Sequence, residues 1–202
     1  MRSTPVLIWV LLLTSGFSLA GYSQTKNQLT VQTGFASNAL FTSPGLVGGP
    51  SHEGKGAAAF GLIYSRDLSR SFSLETGLEY SLNKIESASA FYPGIERTIT
   101  ENRIRMVSLP FYGNFTFMKY LFVNGGLVLS LETETSGQEF RSIDSQSGVG
   151  YGMGVGGKYS FKKISAVVNP FFQKHAVLSF KGNDYQERIG ELGLKFGVGY
   201  NF

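Results

Sequence analysis

Apolar and polar residues alternate with a period of two along most of this chain, and no long segment carries a 3.6-residue period. The last residues show it most plainly. Leu192, Leu194, Phe196, Val198, Tyr200 and Phe202 are apolar, whereas Glu191, Gly193, Lys195, Gly197, Gly199 and Asn201 between them are small or polar. The same division runs through 71–82, with Phe72, Leu74, Leu78, Tyr80 and Leu82 against Ser71, Ser73, Glu75, Gly77, Glu79 and Ser81. It recurs in 121–131, where Leu121, Val123, Leu127, Leu129 and Leu131 oppose a face that includes Asn124, Gly126 and Ser130. In a strand, successive side chains point to opposite faces. The pattern therefore commits the chain to an all-β fold.

Extended over the whole sequence, it predicts eight strands near 27–36, 56–66, 70–84, 99–117, 120–132, 147–158, 163–175 and 187–202. Short connections separate strands two and three, four and five, and six and seven. Long ones cover about 37–55, 85–98, 133–146 and 176–186. An even strand count with connections of alternating length is the plan of an outer-membrane barrel, short turns toward the periplasm and long loops outward. A soluble barrel would also alternate, so the decision rests on which face looks inward. Eight strands enclose little more room than packed side chains fill. The face of Gly, Ser, Asn and a few charges fits that interior, and the rows of Leu, Val, Phe and Tyr fit lipid. The expected architecture is an eight-stranded antiparallel transmembrane β-barrel, an up-and-down meander.

The first residues are of another kind. Arg2 precedes the apolar run Val6 to Leu13, and small residues follow in Ser15 to Gly21. This is the layout of a secretory signal peptide. Ser18 and Ala20 suit cleavage after residue 20, while Gly21 and Ser23 suit cleavage as late as residue 23. The apolar run is far shorter than the roughly 20 residues that span a bilayer. The barrel domain is thus expected at 24–202, exported to the outer membrane and in contact with its lipid. The 202 residues include no Cys, which leaves neither a disulfide framework nor a Cys-linked lipid anchor. The net charge of +4 is scattered, so nucleic acid is not an indicated partner. A monomer is expected.

Lys195, Gly197, Tyr200 and Phe202 fill a polar–x–Gly–x–x–aromatic–x–aromatic ending. The ending resembles the C-terminal signal recognised by the outer-membrane barrel assembly machinery, which the resemblance implies as a partner during biogenesis. In mid-chain, Leu109-Pro110-Phe111, a short turn, and a strand containing Gly125-Gly126 are similar to the small outer-membrane β-barrel domains of Bacteroidetes, the PorT-like group among them. That resemblance implies a barrel and an outer-membrane address, and little about role. Pro110 and Pro170 fall inside predicted strands, where each removes a ladder donor. A bulge, or a place beyond the paired region, would relieve both.

Several residue sets carry a chemical reading. Gly152, Gly154 and Gly157 match G-x-G-x-x-G, but a nucleotide loop needs a helix after it. Here alternating glycines from Gly148 to Gly156 read instead as a strand with a bare inner face. His52 and His175 are the two imidazoles, and both are expected in solvated positions at the outer rim, without the His-x-Ser pairing of a lipid-modifying hydrolase. No catalytic, cofactor or metal site is expected. Glu75, Glu79, Glu191 and Lys195 should face the lumen as a polar plug, because an isolated buried charge is costly. The long loops hold Glu53, Glu86, Glu96, Glu134, Glu139 and Asp144, a surface that could meet a ligand, a divalent cation or another protein. The short turns are basic, with Arg66, Arg70, Lys119, Lys158, Lys162 and Lys163 against Asp67. The function expected is structural or interactive, loops displayed on a sealed barrel, with a small pore or transport-associated barrel as the alternative and a lipid A-modifying enzyme behind both.

Overall fold

The computed structural model describes residues 26–41, 51–89, 99–136, 145–180 and 187–202. The proposed signal peptide, and Glu96, Glu139 and Asp144, lie outside these residues. Eight strands follow one another: β1 (Asn27–Phe41), β2 (Ser51–Asp67), β3 (Phe72–Ala88), β4 (Ile99–Phe117), β5 (Leu121–Ser136), β6 (Gly148–Phe161), β7 (Ile164–Ser179) and β8 (Arg188–Asn201). Each pairs antiparallel with the next, and β8 returns to β1, so the sheet closes as a barrel. The closing seam runs from Gln28↔Asn201 to Phe41↔Arg188. Its inner end is tied off by a reciprocal pair of backbone bonds between Asn27 and Phe202, at 3.1 and 2.9 Å.

The faces divide as the alternation demands. Phe35, Phe60, Leu127 and Val198 are about 60% exposed on the outside, in a band that circles the barrel. A continuous apolar band of this kind is stable only against hydrocarbon. At the short-turn end it finishes in aromatic rings. Tyr120 stacks on Tyr159, Tyr200 stacks on Phe202, and the ammonium groups of Lys119 and Lys163 lie over Tyr120 and Tyr200. Rings with a wet edge suit the membrane interface. At the other end the outward residues turn charged at Lys55, Lys84, Arg105 and Lys174.

The strands run farther outward than the alternation alone suggests. β1 continues to Phe41, β3 to Ala88, β5 to Ser136 and β7 to Ser179, and β2 begins at Ser51. Glu53, Glu86 and Glu134, expected in loops, are therefore strand residues. Crossing a bilayer takes about 9–11 residues, and these strands have 14 to 19, so the surplus stands outside the membrane. Three register shifts lie in these outer portions, at Gly54/Ala57, Arg105/Met106 and Val149/Tyr151. Gly56 has φ 99° at the first, a conformation that disfavours any side chain. The bulge exchanges the inward positions of β2 from even numbers outside it to odd numbers inside it.

The prolines are accommodated otherwise than expected. Pro110 still pairs with Val128, and Pro170 with Leu194. On the opposite side of each, the ladder omits two pairs: β3–β4 passes from Thr76↔Phe111 to Glu79↔Ser108, and β6–β7 from Gly154↔Phe171 to Gly157↔Val168. No register shift occurs at either place. The missing donor is absorbed by a local gap in one ladder, not by a bulge.

Candidate functional site: a filled lumen with an open inner mouth

The inward face of β6 is bare because its neighbours need the space. A Cβ on Gly152 would overlap the Tyr112 hydroxyl, and one on Gly156 the Phe122 ring. Tyr112 comes from β4 and Phe122 from its place beside Gly156 on β5, and the two side chains fill the space over β6. Around them the interior is arranged in levels.

Nearest the outside, His52 hydrogen-bonds Ser87 at 2.7 Å and lies 3.5 Å from Glu187, while Asn102 donates to Ser87 at 2.9 Å. Below this, Ile85, Ile104, Met106 and Ile189 form a buried apolar cluster, with Leu40 packed against it. The cluster is the stopper of the barrel. The sequence reading did not single out these residues, although each occupies an inward position of its strand.

A polar chain follows beneath the stopper. Asn38 donates to Asn83 at 2.7 Å, and Asn83 donates to Glu191 at 2.7 Å. Glu191 meets His175 Nε2 at 3.1 Å, and His175 Nδ1 meets Ser130 at 2.8 Å. Ser130 in turn lies 3.1 Å from Ser108. The expectation for the histidines is thus corrected. Both belong to strands, and His175 is 1% exposed. β7 continues four residues beyond it, and β8 brings Glu191 alongside, so the position reads as rim only if β7 is ended too early.

At the next level Lys195 bonds both oxygens of Glu79, at 2.7 and 2.9 Å, and its ammonium lies 4.3 Å from the centre of the Phe171 ring. Gln32 donates to Glu79 at 3.0 Å. Both charged groups are almost wholly buried. A buried charge is tolerated only when paired and hydrogen-bonded, and this pair meets both conditions. Farther in, Glu75 accepts from Asn114 at 2.7 Å, Asn124 at 3.2 Å and Ser65 at 3.4 Å. It lines a cavity of about 50 Å³, bounded also by Asn169, Tyr112 and Phe122. All four ionisable residues therefore face one lumen, and Gln173, 3.5 Å from the Lys195 ammonium and 3.4 Å from His175 Nε2, links the Glu79 pair to the Glu191 chain.

The two ends differ in charge balance. Outside, Lys55 pairs with Glu53 and Glu86, Arg103 with Glu101, and Arg105 with Glu134. The hydrogen bond to Glu53, and after it that to Glu86, raises the pKa of Lys55 above the usual lysine value. At the inner mouth a hollow of about 470 Å³ opens between the short turns. Gln28 and Lys158 line both this hollow and the small cavity, and with their 3.4 Å contact they form its floor.

The fold has a known counterpart. The barrel superposes on the outer-membrane protein OprG of Pseudomonas aeruginosa with a TM-score of 0.61 at 10% identity, over 92% of this chain and 99% of that one. Neisserial surface protein A gives a TM-score of 0.49 at 18% identity, over 86% and 97%. No protein-family model and no curated protein matches the sequence. The fold is that of the eight-stranded outer-membrane β-barrels.

Lys195→Met should destabilise the barrel by about 3–5 kcal/mol, because it strands the Glu79 carboxylate in a dry interior. Adding Glu79→Gln should recover part of the loss. Urea unfolding in lipid vesicles, followed by the gel shift between folded and boiled protein, measures both. Equal midpoints for wild type and Lys195→Met would contradict the buried pair.

Proposed function

We propose that the protein is a sealed outer-membrane barrel of Gram-negative type, with a structural or interaction role and no catalysis. The observation that carries this reading is the filled lumen. The apolar stopper, the His175 chain and the Lys195–Glu79 pair succeed one another along the axis, and a lumen cavity beyond them is about 50 Å³. Strand extensions beyond the membrane hold a rim of ion pairs outward, and the loops they carry are the parts that would meet a partner. Residues 1–20 serve export in this account, with cleavage there or as late as residue 23. Leu109-Pro110-Phe111 and Gly125-Gly126 support placing the chain in the PorT-like group of Bacteroidetes barrels.

The Ser130–His175–Glu191 arrangement has the residue types of a hydrolytic triad, and it is the feature most favourable to the enzyme reading. Its burial argues for a structural brace. Ser130 and Glu191 are as inaccessible as His175, and the acidic group meets Nε2 while the hydroxyl meets Nδ1. A nucleophile must reach a substrate.

In planar bilayers the purified barrel should show no stable conductance steps, since its interior is closed at successive levels. Steady ion-selective steps from the wild type, lost on substituting Lys195 or Glu75, would favour the pore.

Lys195, Gly197, Tyr200 and Phe202 are proposed as the assembly signal, with Phe202 also tying the seam to Asn27. Deleting Phe202 should lower the amount of barrel in the outer membrane at matched synthesis, and more so than Phe60→Ala within the apolar band. Equal insertion of all three proteins would show that the ending is not read.

A further inference from the structure

Lys26, Arg70, Lys158, Lys162 and Lys163 surround the hollow at the inner mouth. Against them stands Asp67. Among the described residues none of these five cations lies in an ion pair, whereas Lys55, Arg103 and Arg105 at the outer end are each matched with glutamate. The described lining of the inner mouth is therefore net positive, and concave low-dielectric walls concentrate such a field.

The hollow also offers donors. The hydroxyl-bearing side chains of Ser71 and Ser73 line the wall beside Arg70. Lys162 and Lys163 lie over the outward rings of Phe161 and Tyr200, at the level where lipid headgroups begin. Cations, a guanidinium fork and short hydroxyl donors around a space of about 470 Å³ are the chemistry of phosphate recognition.

From this arrangement we infer that the inner mouth is a binding site for a phosphate-bearing anion, taken from the periplasmic side, with Arg70 and Lys158 as its principal contacts. A dissolved phosphate ester and an anionic phospholipid headgroup at the rim share that chemistry. The site lies below the sealed lumen and needs no passage through it.

The test uses the whole folded barrel in zwitterionic detergent, with pyrophosphate as the soluble probe and calorimetry as the readout. In a second arm, native mass spectrometry measures phosphatidylglycerol retained from mixed micelles with phosphatidylcholine. Arg70→Gln lies in an exposed turn and Lys158→Gln on the floor. Each variant is first checked for the gel shift of a folded barrel, and Lys84→Gln at the opposite end is the control. The expected result is binding in at least one arm, weakened about tenfold by Arg70→Gln and by about 0.5 M salt, and unaffected by Lys84→Gln. Pyrophosphate binding without lipid retention assigns the site to a soluble anion. Retained phosphatidylglycerol that pyrophosphate displaces assigns it to lipid. No binding in either arm, or binding equal in Arg70→Gln and wild type, overturns the inference.

Discussion

Backbone hydrogen bonding in hydrocarbon governs this structure. An unpaired N–H or C=O there costs several kcal/mol, and no water is at hand to satisfy it. A chain that alternates with period two must therefore close its sheet. The seam between β1 and β8 does so along its whole length, from Gln28↔Asn201 to Phe41↔Arg188. Even the two prolines conform: each keeps its pairing on one side and interrupts only the other ladder.

Closure with eight strands then dictates the interior. The space is too small for a water-filled channel and too large for glycines alone. β6 supplies glycines where β4 and β5 supply Tyr112 and Phe122, so that small and large residues complement one another within the lumen. Charged groups in the remaining space are held by partners, because an isolated buried charge is costly. Glu79 finds Lys195, Glu191 finds His175 and Asn83, and Glu75 is held by the amides of Asn114 and Asn124. The same satisfied bonds that brace the wall also block it. Under the sealed-barrel proposal the two mouths are where this barrel meets its surroundings, and among the described residues they differ: ion pairs outside, cations without an ion-pair partner inside.

The architecture was legible in the sequence because burial on one face only leaves a period-two record at Phe72–Leu82 and Leu192–Phe202. Four inward charges could also be read, since Glu75, Glu79, Glu191 and Lys195 interrupt runs of small residues, whereas His175, Arg188 and Lys158 could not. Their partners were not. Lys195 and Glu79 are 116 residues apart, and His175 and Ser130 are 45 apart. Only the barrel's register brings such positions together. The outer portions were the least legible part. There the outward face carries Lys and Glu, the hydrophobic contrast fades, and bulges at Gly54/Ala57 and Val149/Tyr151 break the alternation. Ending β7 at His175 made a buried histidine look like a rim residue. The basic hollow was visible only as scattered Lys and Arg in two turns and the strand ends beside them, which closure gathers around one mouth.

The central claim is that the bulky face meets lipid while the opposite face is dry and sealed. Spin labels placed one at a time along β8, from Leu192 to Asn201, test it directly in a protein that has no Cys of its own. Collision rates with oxygen, which partitions into lipid, and with a polar nickel complex, which stays in water, are then compared in reconstituted vesicles. The account predicts a strict alternation: oxygen reaches labels at Leu192, Leu194, Phe196 and Val198, and neither agent reaches those at Gly193 and Lys195. Ready access of the nickel complex to Gly193 and Lys195 would reveal an open, wet lumen, and its access to the even positions would contradict the membrane barrel itself.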